Sequence, residues 1–298
     1  HDYKLAGNFC ELRNSHFHGG IDIRQSWTGK DTIFSIGDGF VSRIQVSAGG
    51  YGLALYVDHP ETGLTSVYAH LDLFNTEIAG YVQNKQLSQE SYDVDLLLSP
   101  DIFPVYKGQY LGMMGNTGFS QGKHLHFEIR ETATDKVLNP FLVGFSVEDN
   151  IPPTLLRLKI HGLDDDFHKI AEQSISLSKY RAKDINFQSV IEIPANQAGI
   201  AIEAFDRNNG SSFKQGLYAI KLYVNDTLQY SSLMDKLPAA QSRYIKGYVD
   251  YSAKQQNQGT FTLCYRYPGN NLSLAQYGDD GIISLSSDTT QTVTLKVE

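Results

Sequence analysis

The sequence predicts an all-β protein in two parts, an antiparallel-sheet domain followed by a β-sandwich. Short runs with alternating apolar and polar residues, separated by Gly, Asn and Asp turns, recur along most of the chain. The 298 residues are enough for two domains. Pro152-Pro153 lies near the middle and reads as a linker. We therefore expect domains at residues 1–150 and 151–298.

The N-terminal half has the pattern of a strand meander. Each apolar run ends at a glycine-containing turn, and the next run begins within a few residues, as expected for antiparallel neighbours. The expected strands are residues 33–36, 40–46, 53–57 and 64–71. His59 precedes Pro60 at a strand end, and we interpret it as a turn residue.

The C-terminal half repeats the strand signal without a candidate site. Asn208-Asn209-Gly210 and Asn225-Asp226 are turn signals between its apolar runs, and this spacing is typical of an immunoglobulin-like β-sandwich. The expected strands are residues 155–160, 199–204, 218–224 and 291–297. No metal-ligand spacing of His and Asp occurs here, so we expect His161 and His168 to be structural or surface residues.

Composition excludes several classes of function. Hydrophobic content of 41% and charged content of 19% are typical of a globular domain. No apolar run approaches the ~18–20 residues that span a bilayer. The net charge of −8 and the lack of a Lys/Arg-rich run argue against nucleic acid as a partner.

The chain has two cysteines, Cys10 and Cys264, far apart in sequence. Without a CxxC pair, a thiolate zinc site is excluded. A disulfide between the two and a pair of buried free thiols both stay open, and we favour the free thiols.

The first candidate site stretch is His124-Leu125-His126. Polar and apolar residues alternate around it, which predicts a strand with one buried face. Residues i and i+2 of a strand share a face, so His124 and His126 are expected to point toward one site. Imidazole serves as a zinc ligand and as a general acid or base. The pair is therefore either two ligands or one ligand beside a catalytic base.

The second stretch places His18 four residues before Asp22. Gly19 and Gly20 between them argue against a helix and suit a tight turn or bulge that brings the two side chains together. His16 is either close to the site or a packing or surface residue. A third stretch, residues 67–71, is strand-like and carries the lone His70.

Taken together, these stretches resemble a known family. In chain order they are His18-x-x-x-Asp22, Tyr68-x-His70 and His124-x-His126. Flanking matches are residues 37–41, 50–52, 105–112, 115–118 and 139–140. Over roughly residues 8–143 the chain is similar to the LytM/lysostaphin-type zinc metallopeptidases, peptidase family M23. Residues 241–245 and 265–270 loosely resemble the C-terminal extensions of Bacteroidetes members.

The resemblance implies a site and a chemistry. It implies one Zn²⁺ per chain, with His18, Asp22 and His126 as ligands. It also implies that His70 and His124 are catalytic, and we favour His124 as the base and His70 as the residue that stabilises the tetrahedral intermediate. Zinc lowers the pKa of a bound water toward ~7. The chain has no HExxH, so a glutamate base of that kind is absent.

The implied function is hydrolysis of peptide cross-links in bacterial peptidoglycan, with a D,D-endopeptidase favoured. Two alternatives stay open. One is an autoinhibited or weakly active zinc-binding module that regulates other cell-wall hydrolases, and the other is a protease of glycine-rich proteins. The resemblance also implies export, to the periplasm, an outer-membrane anchor or the medium. A lost leader is expected because the sequence begins at His1. A cell-envelope protein is a possible partner of the C-terminal domain.

Residues 75–104 interrupt the strand pattern. The stretch is polar and mixed, and the family connects the flanking strands with a much shorter segment, so we interpret it as an insertion. Long connections are often functional lids, so either a flap beside the groove or a packed decoration is expected. Asp38 and Glu128 lie near the motifs, and we interpret them as turn and strand-edge residues.

Overall fold

A computed structural model describes residues 3–25, 31–177, 190–278 and 280–298. Backbone contacts divide the chain into two compact units. The first unit comprises residues 1–9 and 19–146, and the second comprises residues 10–18 and 147–298. Nearly all regular structure in both units is β-strand. No helix among the described residues is long and apolar enough to cross a membrane.

The first unit is built on one antiparallel sheet in the order β1-β2-β10-β6-β5-β4-β7. Strand β3 pairs with β9, β9 with β6, β8 with β4 and β11 with β10. The elements are β1 (Tyr3–Gly7), β2 (Ile21–Gln25), β3 (Thr32–Phe34), β4 (Gly39–Val46), β5 (Leu53–His59), β6 (Leu64–Phe74), α1 (Thr76–Gln89), β7 (Val94–Leu97), β8 (Pro104–Val105), β9 (Tyr110–Met114), β10 (Leu125–Glu131), β11 (Lys136–Leu138) and a 3₁₀ turn (Pro140–Leu142). The antiparallel β architecture predicted for this half is confirmed.

Strand β10 lies between β2 and β6, and this order assembles the candidate site. His126 is directly opposite Asp22 on β2 and opposite Ala69 on β6. Directly opposed residues of an antiparallel pair lie on the same face with Cβ atoms about 4.5–5.5 Å apart. The register therefore brings together the side chains of Asp22 and His126, which are 104 residues apart in sequence.

A bulge in β6 re-aims His70. Leu53 pairs with Leu71 and Leu55 pairs with Tyr68, so β6 carries one more residue than β5 over this interval. His70 has φ +62°, a left-handed conformation that is uncommon for a residue other than glycine. Bulges often redirect a side chain beside a site.

The segment 75–104 is a packed part of the first unit. The Asn75 side chain caps α1 by accepting from the Ile78 amide at 2.9 Å. Ile78 and Val82 on α1 are buried in the same core as β4, β5 and β6. Strand β7 pairs with β4 at the sheet edge far from β10. This packing agrees with the packed-decoration interpretation, and the interpretation of the segment as an insertion stays a prediction.

The second unit contains two antiparallel sheets, β13-β12-β14-β18, with β20 on β14, and β19-β16-β15-β21. Its elements are β12 (Thr154–Leu163), β13 (Lys169–Ser176), β14 (Gln197–Phe205), β15 (Ala219–Val224), β16 (Thr227–Leu233), β17 (Lys236–Pro238), 3₁₀ turns (Ala239–Gln241 and Tyr244–Gly247), α2 (Tyr251–Gln255), β18 (Thr262–Leu263), β19 (Ala275–Tyr277), β20 (Ile283–Ser284) and β21 (Val293–Val297). Ile200 on β14 and Leu222 on β15 belong to one core. The immunoglobulin-like arrangement stays a prediction.

Residues 10–18 form a small loop that belongs to the second unit. The Cys10 amide donates to the His18 carbonyl at 2.8 Å, which closes the loop. Phe17 is fully buried, its amide donates to the Ser242 carbonyl at 2.7 Å, and its ring meets Tyr248 edge-on at 5.3 Å. The chain re-enters the first unit at Gly19. The predicted division at residue 150 did not assign residues 10–18 to the C-terminal part. The predicted domain limits stay a prediction.

Candidate metal centre

The structure brings His18, Asp22 and His126 together. One ligand atom from each lies within 4.8 Å of the other two, and all three side chains are buried. The three residues predicted as ligands are therefore neighbours, and their role as ligands stays a prediction.

This donor set fits zinc. His126 Nδ1 lies 3.1 Å from Asp22 Oδ1. Two ligand atoms of a tetrahedral zinc ion, each at ~2.0–2.1 Å from the metal, lie roughly 3.3 Å apart. Two imidazoles and one carboxylate are a known ligand combination for catalytic zinc. The spacing and chemistry of the residues thus agree with one Zn²⁺, and the binding of this ion stays a prediction.

His126 lies between two carboxylates. Its Nδ1 faces Asp22, and its Nε2 lies 2.8 Å from Glu128 Oε1. Burial acts to lower the pKa of His126, but the hydrogen bonds to Asp22 and Glu128 raise it to about 9.

Glu128 is a site residue that the sequence interpretation missed. It is fully buried on the central strand β10, so its description as a strand-edge residue is wrong. Burial acts to raise the pKa of Glu128, but Arg130 and His126 lower it to about 2. The alternation that aligned His124 with His126 also places Glu128 on that face, and this signal was available in the sequence.

His70 and His124 have similar hydrogen bonds at Nδ1. His70 Nδ1 lies 2.8 Å from the Thr117 carbonyl, and His124 Nδ1 lies 2.8 Å from the Gly122 carbonyl. A carbonyl can only accept, so each Nδ1 carries a proton. In the neutral form of either ring, Nε2 is then a proton acceptor. The ring centroids are 4.9 Å apart, and His124 Nε2 lies 3.5 Å from Asp22 Oδ1.

The environment of His70 keeps that ring neutral. Burial, followed by the nearby His126 and His124, lowers the pKa of His70 to about 4. The structure thus places both predicted catalytic histidines beside the predicted ligands, and their catalytic roles stay predictions.

The loop of residues 115–123 holds the two carbonyls in place. Asn116 Oδ1 accepts from the Gly122 amide and from Ser120 Oγ, both at 2.7 Å. Thr117 Oγ1 donates to the Leu71 carbonyl at 2.8 Å and accepts from the Leu53 amide. Fixed backbone acceptors of this kind set the tautomer of a histidine. Thr117 and Gly122 were not predicted as site residues, although residues 115–118 supported the resemblance.

Gly19 and Gly20 serve close packing. Neither residue has a positive φ, and Gly20 lies in a bend directly before strand β2. A Cβ on Gly19 would lie 2.8 Å from Glu128 Oε1, and one on Gly20 would lie 2.2 Å from the Phe127 carbonyl oxygen. The glycines therefore admit strand β10 and Glu128 next to the chain between His18 and Asp22.

Comparison with known proteins gives distant neighbours among solved structures. No family model matches the sequence, and no curated protein does. The catalytic domain of a mutant M23 protein, EnpA from Enterococcus faecalis, is 21% identical, covers 48% of this chain and 92% of that one, and has a TM-score of 0.34. The catalytic domain of lysostaphin from Staphylococcus simulans is 20% identical, with coverage of 47% and 91% and a TM-score of 0.34.

A third neighbour is a zinc-containing peptidase from Vibrio cholerae, 23% identical, covering 42% of this chain, with a TM-score of 0.30. The match spans only 32% of that chain. These neighbours are peptidase domains of the LytM/lysostaphin type at low identity. Similarity at this level does not assign the chain to a family, so the functional argument depends on the site geometry.

Two further histidines of the first 150 residues, His16 and His59, are not in the ligand group. His16 is exposed in the 10–18 loop. His59 is buried at the end of β5, where Nδ1 lies 2.8 Å from the Asp38 carbonyl and Nε2 lies 2.8 Å from Ser66 Oγ. Asp38 accepts from the Lys107 amide at 2.7 Å, as expected for a turn residue. Both ring nitrogens of His59 are thus used in holding the fold.

A second group of possible ligands, His161, Glu172 and Asp250, lies in the second unit. The sequence did not predict it, because its members come from two strands and a helix start. Lys159 Nζ lies 2.8 Å from Glu172, and Lys169 Nζ lies 2.5 Å from the same carboxylate. Two ammonium groups already balance the two carboxylates, so a further dication would be repelled. We interpret this group as a structural ion cluster.

Cys10 and Cys264 are both free and buried. Burial raises the pKa of each thiol. The structure therefore agrees with the favoured alternative of two buried free thiols.

Proposed function

We propose that the protein is a zinc-dependent endopeptidase that hydrolyses peptide cross-links of bacterial peptidoglycan, with D,D-cross-links as the favoured substrate. The observation that carries the proposal is the grouping of His18, Asp22 and His126 beside two histidines that each keep Nε2 available. Three ligands with one carboxylate leave a coordination position for water, which is the arrangement of catalytic zinc sites.

The residues of the chain have separate roles in the proposed reaction. A bound zinc ion would supply a Lewis acid and a water of pKa near ~7. His18, Asp22 and His126 would hold it. His124 Nε2 lies beside Asp22, where it can accept a proton from the attacking water. The Gly122 carbonyl keeps His124 in the tautomer that makes this possible.

His70 is the second proton-transfer group in this proposal. With Nδ1 committed to Thr117, neutral His70 offers an acceptor and no donor at Nε2. Stabilisation of an oxyanion requires a donor. His70 can serve in that way, or protonate the departing amine, only after its Nε2 has accepted a proton. This order of proton transfers refines the role expected for His70 from the sequence, which was to stabilise the tetrahedral intermediate.

The proposed substrate also bears on location and partners. Peptidoglycan lies outside the cytoplasm, so we propose that the protein is exported, in the periplasm, anchored at the outer membrane or secreted. We keep a cell-envelope protein partner of the second unit as part of the same proposal.

The first test measures zinc content and muropeptide release from purified cross-linked peptidoglycan. We expect near-stoichiometric zinc and conversion of cross-linked dimers to monomers by the wild type. His124→Ala should keep the metal and release no product. His168→Ala, on an exposed histidine, is the matched control and should behave as the wild type.

Failure of the wild type to release product while holding zinc would favour the regulatory-module alternative. Cleavage of pentaglycine or glycine-rich proteins in preference to muropeptides would favour the second alternative, a protease of glycine-rich proteins. The full chain is required for these assays. Truncation after residue 150 would remove Ser242 and Tyr248, which hold Phe17 in the 10–18 loop directly before His18.

A further inference from the structure

We propose that Glu128, held by Arg130 and Tyr51, is a positioning residue that presents Nδ1 of His126 to the metal. The inference rests on the zinc site of the proposed function and adds a residue that does not touch the metal. It follows from four features of the buried side chains on strand β10 and the loops beside it.

The first feature is the tautomer of His126. Its Nε2 lies 2.8 Å from Glu128 Oε1, and an ionised carboxylate only accepts hydrogen bonds. The proton of the neutral imidazole is therefore on Nε2, which leaves the Nδ1 lone pair directed to Asp22 and the ligand group. Carboxylate partners of metal-bound histidines act in this way in other metalloproteins.

The second feature is the support of the carboxylate. Arg130 Nε donates to Glu128 Oε2 at 2.7 Å, and Arg130 Nη2 lies 2.6 Å from the same oxygen. Arg130 Nη1 continues to Asp135 Oδ1 at 2.7 Å. Glu128 thus uses Oε2 for arginine and Oε1 for histidine, so its rotation is restricted from both ends.

The third feature is Tyr51, which contacts both members of the pair. Its hydroxyl lies 2.5 Å from Glu128 Oε1, and its ring stacks on His126 with centroids 5.3 Å apart and planes at 27°. An ionised carboxylate only accepts hydrogen bonds, so the phenol donates to Glu128. The neighbouring Gly50 and Gly52 both have positive φ, which lets the loop turn Tyr51 inward.

The fourth feature explains the glycine pair between the predicted ligands. A Cβ at Gly19 would approach Glu128 Oε1 to 2.8 Å. The chain between His18 and Asp22 therefore has no side chain where the Glu128 carboxylate lies. A methyl group at Gly19 should displace Glu128 and act on His126 without touching it.

A purely structural ion pair between Glu128 and Arg130 is the competing explanation, and the variants separate the two. In Glu128→Gln one of the two carboxylate oxygens becomes an NH₂ group, so the one remaining oxygen can replace either the oxygen that accepts from Arg130 or the one that accepts from His126. If that oxygen stays with Arg130, the amide NH₂ faces His126 Nε2, which must then accept, and the proton moves to Nδ1.

Asp135→Asn is the matched control, because it perturbs Arg130 from the far side and leaves Glu128 intact. Asp135 has φ +55°, a conformation that asparagine tolerates.

The experiment measures zinc affinity of the full chain by competition with a chromophoric chelator, together with the visible spectrum of the Co²⁺-substituted protein. We expect Glu128→Gln to weaken zinc binding by about 10–100-fold and to alter the Co²⁺ bands. Gly19→Ala should shift affinity in the same direction. Tyr51→Phe keeps the stacked ring and should give a smaller loss. Asp135→Asn should keep affinity within about twofold.

Wild-type affinity and spectrum in Glu128→Gln would overturn the proposal, and so would an equal loss in Asp135→Asn. If Glu128→Gln does not fold, Tyr51→Phe and Gly19→Ala decide, since unchanged affinity in both contradicts the inference. The variants could lose zinc affinity while the wild type binds zinc but cleaves no muropeptide. That result would reject the proposed function and would still support the positioning role of Glu128.

Discussion

The Nδ1 atom of His70 donates a hydrogen bond to the carbonyl oxygen of Thr117, at 2.8 Å. The bond joins the bulge of strand β6 to the loop of residues 115–123. It sets the tautomer of His70, whose ring centroid lies 4.9 Å from that of His124 and 5.8 Å from that of His126. Gly122 does the same for His124. The geometry of both proposed proton-transfer groups therefore depends on one loop.

The first prediction concerns His70 itself. His70→Asn should lower kcat on cross-linked muropeptides by about 10²–10⁴-fold, because a proton-transfer group is removed. Zinc content should stay near that of the wild type, since His70 is not among the three grouped ligands. Asparagine suits the φ of +62° at this position, so the melting temperature should change little. Zinc loss in this variant would show that His70 is a ligand and that the ligand assignment is wrong.

The second prediction concerns Asn116, which closes the loop. Asn116→Ala removes the acceptor for the Gly122 amide and for Ser120 Oγ. The Gly122 carbonyl should then orient His124 less well, and we expect kcat to fall at least about tenfold at unchanged zinc content. Steady-state kinetics and metal analysis check this. Ser120→Ala removes one of these two donors and also the contacts of Ser120 Oγ with the Gly122 carbonyl and with His124 Nδ1, so it should lower kcat as well. Equal kcat in Asn116→Ala and the wild type would contradict the role of the loop.

The third prediction compares two glycines. A Cβ on Gly80, in α1, meets no atom within 4 Å, so Gly80→Ala should stabilise the first unit by about 0.5–1 kcal/mol. A Cβ on Gly20 would lie 2.2 Å from the Phe127 carbonyl oxygen, so Gly20→Ala should destabilise the unit by about 3 kcal/mol or more. Chemical denaturation measures both. If Gly20→Ala leaves the free energy of unfolding unchanged, β2 and β10 are not as close as described.

The fourth prediction concerns pH and Asp206 in the second unit. Burial, together with nearby Asp149, raises the pKa of Asp206 to about 6. The folded state then binds a proton more tightly than the unfolded state, so stability falls as pH rises from about 4 to about 6. Asp206→Asn keeps an acceptor for the Arg207 amide and removes this penalty.

Because Asp206 is only half-buried, we expect the gain from Asp206→Asn to be below about 1 kcal/mol. The gain should be present above pH 6 and vanish near pH 4. Urea unfolding at pH 4 and pH 7 measures it. A gain of the same size at both pH values would show that the ionisation of Asp206 is not its cause.

Much of the first unit could be predicted from residue order alone. Alternation of apolar and polar residues depends on the two-residue period of a strand, so the antiparallel strands and the common face of His124 and His126 were readable. The same period aligned Glu128 with them. Its burial was not readable, because it depends on Arg130 and Tyr51 as partners.

Only the tertiary structure decided which strands are neighbours. The pairing of β10 with β2 and β6 sets His126 against Asp22, and the bulge in β6 turns His70 toward them. The ion cluster at His161 arises in the same way, from strands and a helix start that are distant in sequence. Periodicity reports the face on which a side chain lies, since that is a local property of the backbone. Which faces meet depends on register and on the shared core, and those are properties of the whole folded chain.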